Sequence, residues 1–185
     1  MTVQPAAMHE IVCVTLGEFG RYLLHHGWAG NPRRNNRIVF ERILFVAFDQ
    51  LRTHAQFAMP VQAQFDAPSQ LGWLTLPTID TLLAQCVEEG WMVEPSAVST
   101  SNFELTGAGS EIAQRFVEAT ENQSAIERIT GVLAKFEQSE FSLRAIQDTI
   151  LTIAVDSRRT ITPYPYYRTD APALAPYIRG ALQRG

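Results

Sequence analysis

Residues 75–116, TLPTIDTLLAQCVEEGWMVEPSAVSTSNFELTGAGSEIAQRF, decide the fold of this chain. Apolar residues recur in this stretch at helical spacing, first before Gly90 and again after Thr106. Gly90 stands where a helix ends on a left-handed residue, and Thr106 stands where a side chain caps the next helix. Two short apolar segments, 91–93 and 103–105, enclose a turn rich in Ser and Thr. The pattern predicts a helix, a two-stranded hairpin and a second helix, in that order.

The sequence before this stretch predicts two further helices separated by an exposed loop. Apolar periodicity indicates helices over 15–26 and 38–52, and the Gly, Pro and Asn residues of 29–37 indicate the loop. The second helix is apolar on most of its circumference, which predicts a place at the centre of the domain or at a subunit interface. Between it and the decisive stretch we expect a short strand over 61–65 and a short helix over 67–73.

Two more helical patterns follow, over 124–138 and 142–155, and their spacing predicts an antiparallel pair. The fold class is therefore mainly α with a small β-hairpin (α+β). We divide the chain into an N-terminal helix with an Arg-rich loop (1–37), a central module (38–120), and a helical extension with a Pro- and Tyr-rich tail (121–185). The extension is expected to dimerise or to dock on another protein.

The composition is that of a globular protein. Hydrophobic residues make up 46% of the 185 residues and charged residues 18%, which excludes wholesale disorder. The longest apolar run, residues 43–48, is too short to cross a bilayer, and the N-terminal sequence lacks the features of a signal peptide. Two cysteines are too few for a disulfide scaffold. We expect a cytoplasmic protein with reduced thiols and no membrane contact.

Charge is segregated along the chain. The net charge is −4, yet residues 76–127 carry nine acids and one Arg, a net charge of −8. Residues 21–37 hold four Arg and no acid, and the tail from residue 157 holds five Arg against one Asp, so each has a net charge of +4. An acidic middle lies between two basic flanks, and an acidic balance argues against a nucleic-acid partner.

The strings LPTIDTLLAQCVEEGWMV and NFELTGAG also carry a family resemblance over roughly residues 38–120. They resemble the recognition-helix-and-wing signature of MarR- and PadR-type winged helix-turn-helix regulators. Ile79, Leu83 and Cys86 fill the apolar triplet of the helix, Glu88-Glu89-Gly90 the acidic turn, and residues 103–109 the junction from strand to helix. The resemblance implies that the helix over 76–89 reads base edges in the major groove while the wing contacts phosphate.

The implied recognition helix has no Lys or Arg, although phosphate neutralisation requires them. The hydroxyls and the amide on this helix can contact bases, but the counter-charge has to come from the basic flanks. The candidate DNA-binding residues are therefore Arg33, Arg34, Arg37, Thr78, Thr81, Gln85, Arg158 and Arg159. If the acidic face meets a protein instead, the candidate interaction residues are Asp80, Glu88, Glu89, Tyr164, Tyr166 and Tyr167.

Two functions follow from these observations. The first is a cytoplasmic, dimeric winged-helix protein that binds double-stranded DNA and regulates transcription. The alternative is a non-enzymatic adaptor or structural subunit whose acidic winged helix contacts a protein partner in a larger complex. The chain contains no phosphate-binding glycine loop and no HExxH motif, so we expect neither catalysis nor a cofactor.

Each candidate also has a plainer interpretation. Arg33 and Arg34 are compatible with a solvated loop, and the tyrosines of the tail with packing across their own domain. His25, His26 and Cys13 lack the spacing of a metal site, and Cys86 lies on the apolar face of its helix, which predicts a packed core thiol.

Overall fold

The computed structural model of the chain describes residues 5–51, 64–66, 73–75, 77–94 and 102–156. Within these residues the chain forms six α-helices and two small antiparallel hairpins, so the mainly α fold with a small β component is confirmed. A short 3-10 turn joins the fourth helix to the fifth. The helices are α1 (Pro5–His25), α2 (Arg37–Leu51), α3 (Pro77–Glu88), α4 (Gly107–Glu118), α5 (Gln123–Glu137) and α6 (Leu143–Asp156), and the strands are β1 (Gln64–Asp66), β2 (Trp73–Thr75), β3 (Met92–Val93) and β4 (Glu104–Leu105).

The decisive stretch folds in the predicted order of α3, the hairpin of β3 and β4, and α4. Gly90 ends α3 with a φ of 73°, and β3 pairs with β4 in the register Met92 with Leu105. The Thr106 hydroxyl oxygen accepts a hydrogen bond from the Gly109 amide at 3.1 Å and so caps α4. The local rules for helix ends and turns therefore predicted this part of the chain correctly.

Two predictions about local structure were wrong. Trp73, assigned to the end of a short helix, lies in β2 and pairs with Asp66 of β1. Aromatic and β-branched residues favour strands, and this strand depends on a partner that local propensity does not reveal; residues 67–72 of the predicted helix lie outside the described part of the chain. The helix predicted over 15–26 begins at Pro5, because its first half is buried in the core at Ile11, Val12 and Val14.

Helix α2 forms the centre of the fold. Eleven of its fifteen residues are buried, in agreement with its apolar sequence. Helices α5 and α6 each pack mainly against α2 and touch one another less, which differs from the antiparallel pair expected from their spacing. Since α2 is apolar on nearly every side, it can bury the apolar stripes of two helices at once. One hydrophobic core thus includes residues of all six helices.

Candidate interaction surface

Arg37 lies at the beginning of α2, and its side chain interacts with acidic groups from three parts of the chain. Its guanidinium forms ion pairs with Glu41 of α2 and with Glu94, which follows β3. Its Nη2 also lies 3.9 Å from Oδ1 of Asp80 in α3, and its Cζ lies 5.3 Å from the centre of the Phe103 ring. The charge that the sequence assigned to DNA phosphate is thus engaged with carboxylates of the protein itself.

Arg34 is engaged in a similar way on the other side of the loop. It pairs with the carboxylate of Glu140, and its Nε donates a hydrogen bond to the Glu140 backbone oxygen at 3.0 Å. Its Cζ also lies 4.7 Å from the centre of the Trp28 ring, a cation–π contact. Arg33 differs, because it is exposed and forms no ion pair with a carboxylate in the described part of the chain.

The pKa values of Arg37 and Glu41 report the burial of their ion pair. Burial by itself would lower the pKa of Arg37, but its hydrogen bond to Glu41 and the surrounding carboxylates raise it above the ordinary value. Burial also raises the pKa of Glu41, and the opposing hydrogen bond and charge of Arg37 compensate only in part. The folded chain therefore binds the Glu41 proton more tightly than the unfolded chain. This contribution to stability is full below the ordinary Glu pKa of about 4.3 and is lost as the pH rises through the raised value.

Replacing Arg37 with an apolar side chain of similar length, Arg37→Met, is expected to raise the pKa of Glu41 further. The variant should lose about 1–3 kcal/mol of unfolding free energy near pH 7, where a largely buried carboxylate has lost its donors. It should lose less near pH 4, where that carboxyl is protonated. Urea unfolding at several pH values measures both losses. In the control pair, Glu41→Gln with and without Arg37→Met, the loss should depend less on pH, because only the ion pairs of Arg37 with the exposed Asp80 and Glu94 are then lost. The same pH dependence with and without Glu41→Gln would contradict the assignment.

The apolar triplet of α3 faces the core as predicted, with Ile79, Leu83 and Cys86 all buried. Asp80, Ala84 and Glu88 are spaced by four residues and therefore share one face of the helix, and all three are exposed. No Lys or Arg occurs anywhere between residues 77 and 104. The helix thus presents to solvent a face that carries acids and no base.

The β3–β4 hairpin continues this acidic face. Val93 directly opposes Glu104 across the two strands, and both side chains are exposed. The next residue, Glu94, is exposed and shares Arg37 with Asp80. We refer to the exposed acids of α3 and the hairpin as the acidic surface, which consists of Asp80, Glu88, Glu89, Glu94 and Glu104.

The remaining candidates from the sequence are in different surroundings. Thr81 and Gln85 are exposed on α3, and Oε1 of Gln85 lies 3.0 Å from Nε2 of His9 in α1. The backbone of Thr78 belongs to α3, but its side chain lies outside the described part of the structure. Five candidates of the tail lie outside the described residues: Arg158, Arg159, Tyr164, Tyr166 and Tyr167.

Sequence reasoning missed several residues of this surface. Glu41 could have been found, because a carboxylate four residues after an Arg on a helix is a recognisable pair. Glu94 and Glu140 could not, because they lie 57 and 106 residues from their Arg partners. Residues 52–76 separate α2 from α3 and include β1 and β2.

The cysteines and histidines have structural contacts. Cys13 and Cys86 are both buried, and the hydrogen bond between their thiols together with burial raises the pKa of the Cys86 thiol far above its ordinary value. His26 stacks on Trp28 and pairs with Glu137. The described residues include no group of three or more His, Cys, Asp or Glu arranged to hold a metal ion.

A helix long and apolar enough to cross a membrane does not occur among the described residues. No protein-family model, curated protein or solved structure matches the chain.

Proposed function

We propose that this chain is a non-enzymatic adaptor that binds a basic protein partner through its acidic surface. The observation that carries the proposal is the engagement of Arg37 with Glu41, Asp80 and Glu94. Arg37 pairs with two of the five exposed carboxylates of the acidic surface, and the other three, Glu88, Glu89 and Glu104, form no ion pair with a described residue. In this proposal α3 and the β3–β4 hairpin are the helix and wing of a winged-helix module that contacts protein instead of DNA.

The electrostatics of the surface disfavour a DNA duplex as its ligand. DNA presents about one negative charge per 1.7 Å of its axis, and affinity for it depends on Lys and Arg that displace counterions. The acidic surface would face those phosphates with carboxylates. Arg34 and Arg37 would first have to give up their pairs with Glu140 and Glu94.

The partner that fits this surface carries basic residues together with some apolar ones. Among the described large hydrophobic residues, Val93 is 56% exposed within the acidic surface, and Ile38 is 42% exposed beside Arg37 at the start of α2. These two side chains would pack against the apolar residues of the partner, while the carboxylates pair with its basic ones. Opposite charges on the two partners would steer the encounter and make its rate depend on salt.

Fluorescence anisotropy can compare the two classes of ligand directly. The probes are a labelled peptide of alternating Arg and Leu, about 12 residues long, and a labelled random-sequence DNA duplex. Each is measured at about 50 and 200 mM salt, because affinity that depends on phosphate contacts falls steeply over this range. We expect the peptide to bind and the duplex not to bind. Glu88→Lys with Glu89→Lys should weaken peptide binding at least tenfold, about 1.4 kcal/mol.

The matched control places the same change of charge elsewhere, as Glu121→Lys with Glu127→Lys. Both control residues are exposed and lie in the 3-10 turn and in α5, away from the acidic surface. If peptide affinity falls equally in both double variants, only the net charge matters and the proposed surface is wrong.

DNA binding with transcription regulation is the second candidate function. Two observations favour it. The elements follow the order α3, β3, β4, α4, and Arg33 is exposed and forms no ion pair with a described carboxylate. Micromolar binding of the duplex with a steep loss at higher salt would support it over the adaptor. Charge reversal of Arg33, Arg34 and Arg37 together should then abolish that binding.

A further inference from the structure

A cleft of about 520 Å³ lies between α5 and α6, with α2 as its floor. Pockets for small organic molecules typically measure about 300–1,000 Å³. Val46 of α2, Val132 of α5 and Ile153 of α6 give the cleft an apolar lining, and Val46 and Val132 are largely buried. The cleft is lined by Val46 and Gln50 in the second half of α2, whereas the acidic surface adjoins Arg37, the first residue of α2.

The α5 wall of the cleft is cationic. Arg128, Gly131 and Lys135 line it at spacings of three and four residues, so they share one face of the helix. The Cα atoms of Arg128 and Lys135 lie about 10 Å apart along the helix axis. Arg128 is held in place, because its Nη1 donates a hydrogen bond to the Gln50 backbone oxygen at 3.0 Å.

Lys135 is the group available to a ligand. It is the only lysine of the chain, it is exposed, and no described carboxylate forms an ion pair with it. Its Nζ lies 5.7 Å from the centre of the Phe136 ring, a cation–π contact. Asp148 on the facing wall is the one acid among the described lining residues, against two bases.

Gly131 keeps the middle of this wall open. A Cβ built on Gly131 meets no atom within 4 Å, so the glycine leaves free space between the two cations. Glycine inside a helix costs about 1 kcal/mol relative to Ala, and neither a close contact nor a turn requires it here. The facing hydroxyls of Thr149 and Thr152 donate to Ala145 and Asp148 backbone oxygens at 3.1 and 2.9 Å, so they present only acceptor lone pairs to the cleft.

We propose that this cleft binds a small amphipathic carboxylate, an apolar chain that ends in one anionic group. The apolar chain would lie on Val46, Val132 and Ile153 in the space above Gly131, and the carboxylate would pair with Lys135. This site is independent of the acidic surface, because it carries the opposite charge and uses α5 and α6.

Octanoate and its neutral counterpart octanamide are suitable probes for the intact chain. Backbone amide NMR titration follows both, and the signals of Gly131 and Thr149 should shift most. We expect octanoate to bind about fivefold or more tightly than octanamide, the effect of a single exposed charge contact of about 1 kcal/mol. Lys135→Met should remove this preference and leave octanamide binding unchanged.

Gly131→Leu tests the space itself. The Cβ of the leucine meets no atom within 4 Å, and leucine improves helix propensity, so the variant should remain folded with its side chain in the cleft. The affinity for both probes should fall at least tenfold in this variant. The affinity for both should be unchanged in Gly107→Ala, a substitution at an open position of α4. The proposal would be overturned if the amide shifts did not saturate, or if the wild type bound octanoate and octanamide with equal affinity. Undiminished binding of the probes by Gly131→Leu would also overturn it. If octanoate does not bind, and sedimentation shows a dimer that the Gly131→Leu substitution dissociates, the cleft binds a second copy of the chain instead.

Discussion

Gly109→Ala is expected to lower the free energy of unfolding by about 3 kcal/mol, at the upper end of the cost of overpacking. A Cβ at this position would lie 2.0 Å from the backbone oxygen of Trp91 and 3.2 Å from a methyl group of Leu105. The oxygen cannot move freely, because it accepts the hydrogen bond of the Thr106 amide at 3.0 Å. The first turn of α4 would have to separate from the β3–β4 hairpin. Chemical unfolding in urea measures the loss.

Gly107→Ala is the matched control two residues earlier in the same helix. A Cβ there meets no atom within 4 Å, and alanine is the better helix former by about 1 kcal/mol. We therefore expect this variant to be as stable as the wild type or more stable. If both variants lose the same stability, the close approach of α4 to Trp91 is not what requires glycine at residue 109.

Phe141→Ala is expected to cost about 3–5 kcal/mol, the usual cost of emptying a buried phenylalanine site. Phe141 is fully buried in the turn between α5 and α6. Its ring meets Phe19 of α1 edge-on, with the centroids 5.1 Å apart, and Trp28 of the following loop at 6.1 Å. The side chain therefore fixes the turn. It also fixes the backbone oxygen of Glu140, which accepts a hydrogen bond from Arg34.

The backbone at Phe141 provides a second test of the same site. Its φ is 54°, a left-handed conformation that costs an L-residue roughly 1–2 kcal/mol and costs glycine nothing. Phe141→Gly should therefore be about 1 kcal/mol more stable than Phe141→Ala, the reverse of their order inside a helix. A Gly variant less stable than the Ala variant would refute the left-handed assignment. Leu24→Ala, at a residue 71% exposed, is the control and should change stability by less than about 0.5 kcal/mol.

The sequence by itself determined the local structure of the central stretch. The end of α3 at Gly90 and the cap of α4 at Thr106 follow from turn chemistry that acts within a few residues. The buried face of Ile79, Leu83 and Cys86 follows from helical periodicity, because residues three and four apart share a face. The burial of α2 follows from its composition, since a helix apolar on most of its circumference is stable only when other elements cover it; that helices of the same chain cover it was decided by the tertiary structure.

The tertiary structure decided which distant groups meet. β2 forms at Trp73 because β1 lies beside it, and no property of Trp73 alone identifies that partner. The cleft opens because α5 and α6 both lie on α2 around Gly131, an arrangement that the pattern of neither helix specifies.

The same holds for the charges of the candidate surface. Arg37 was a candidate for DNA as long as only its basic neighbours in the loop were known. Folding brings Asp80 and Glu94 to it from beyond the range of any local pattern. Coulomb interactions depend on distance in space and not on separation along the chain, so the partners of an exposed charge are known only once the fold is known.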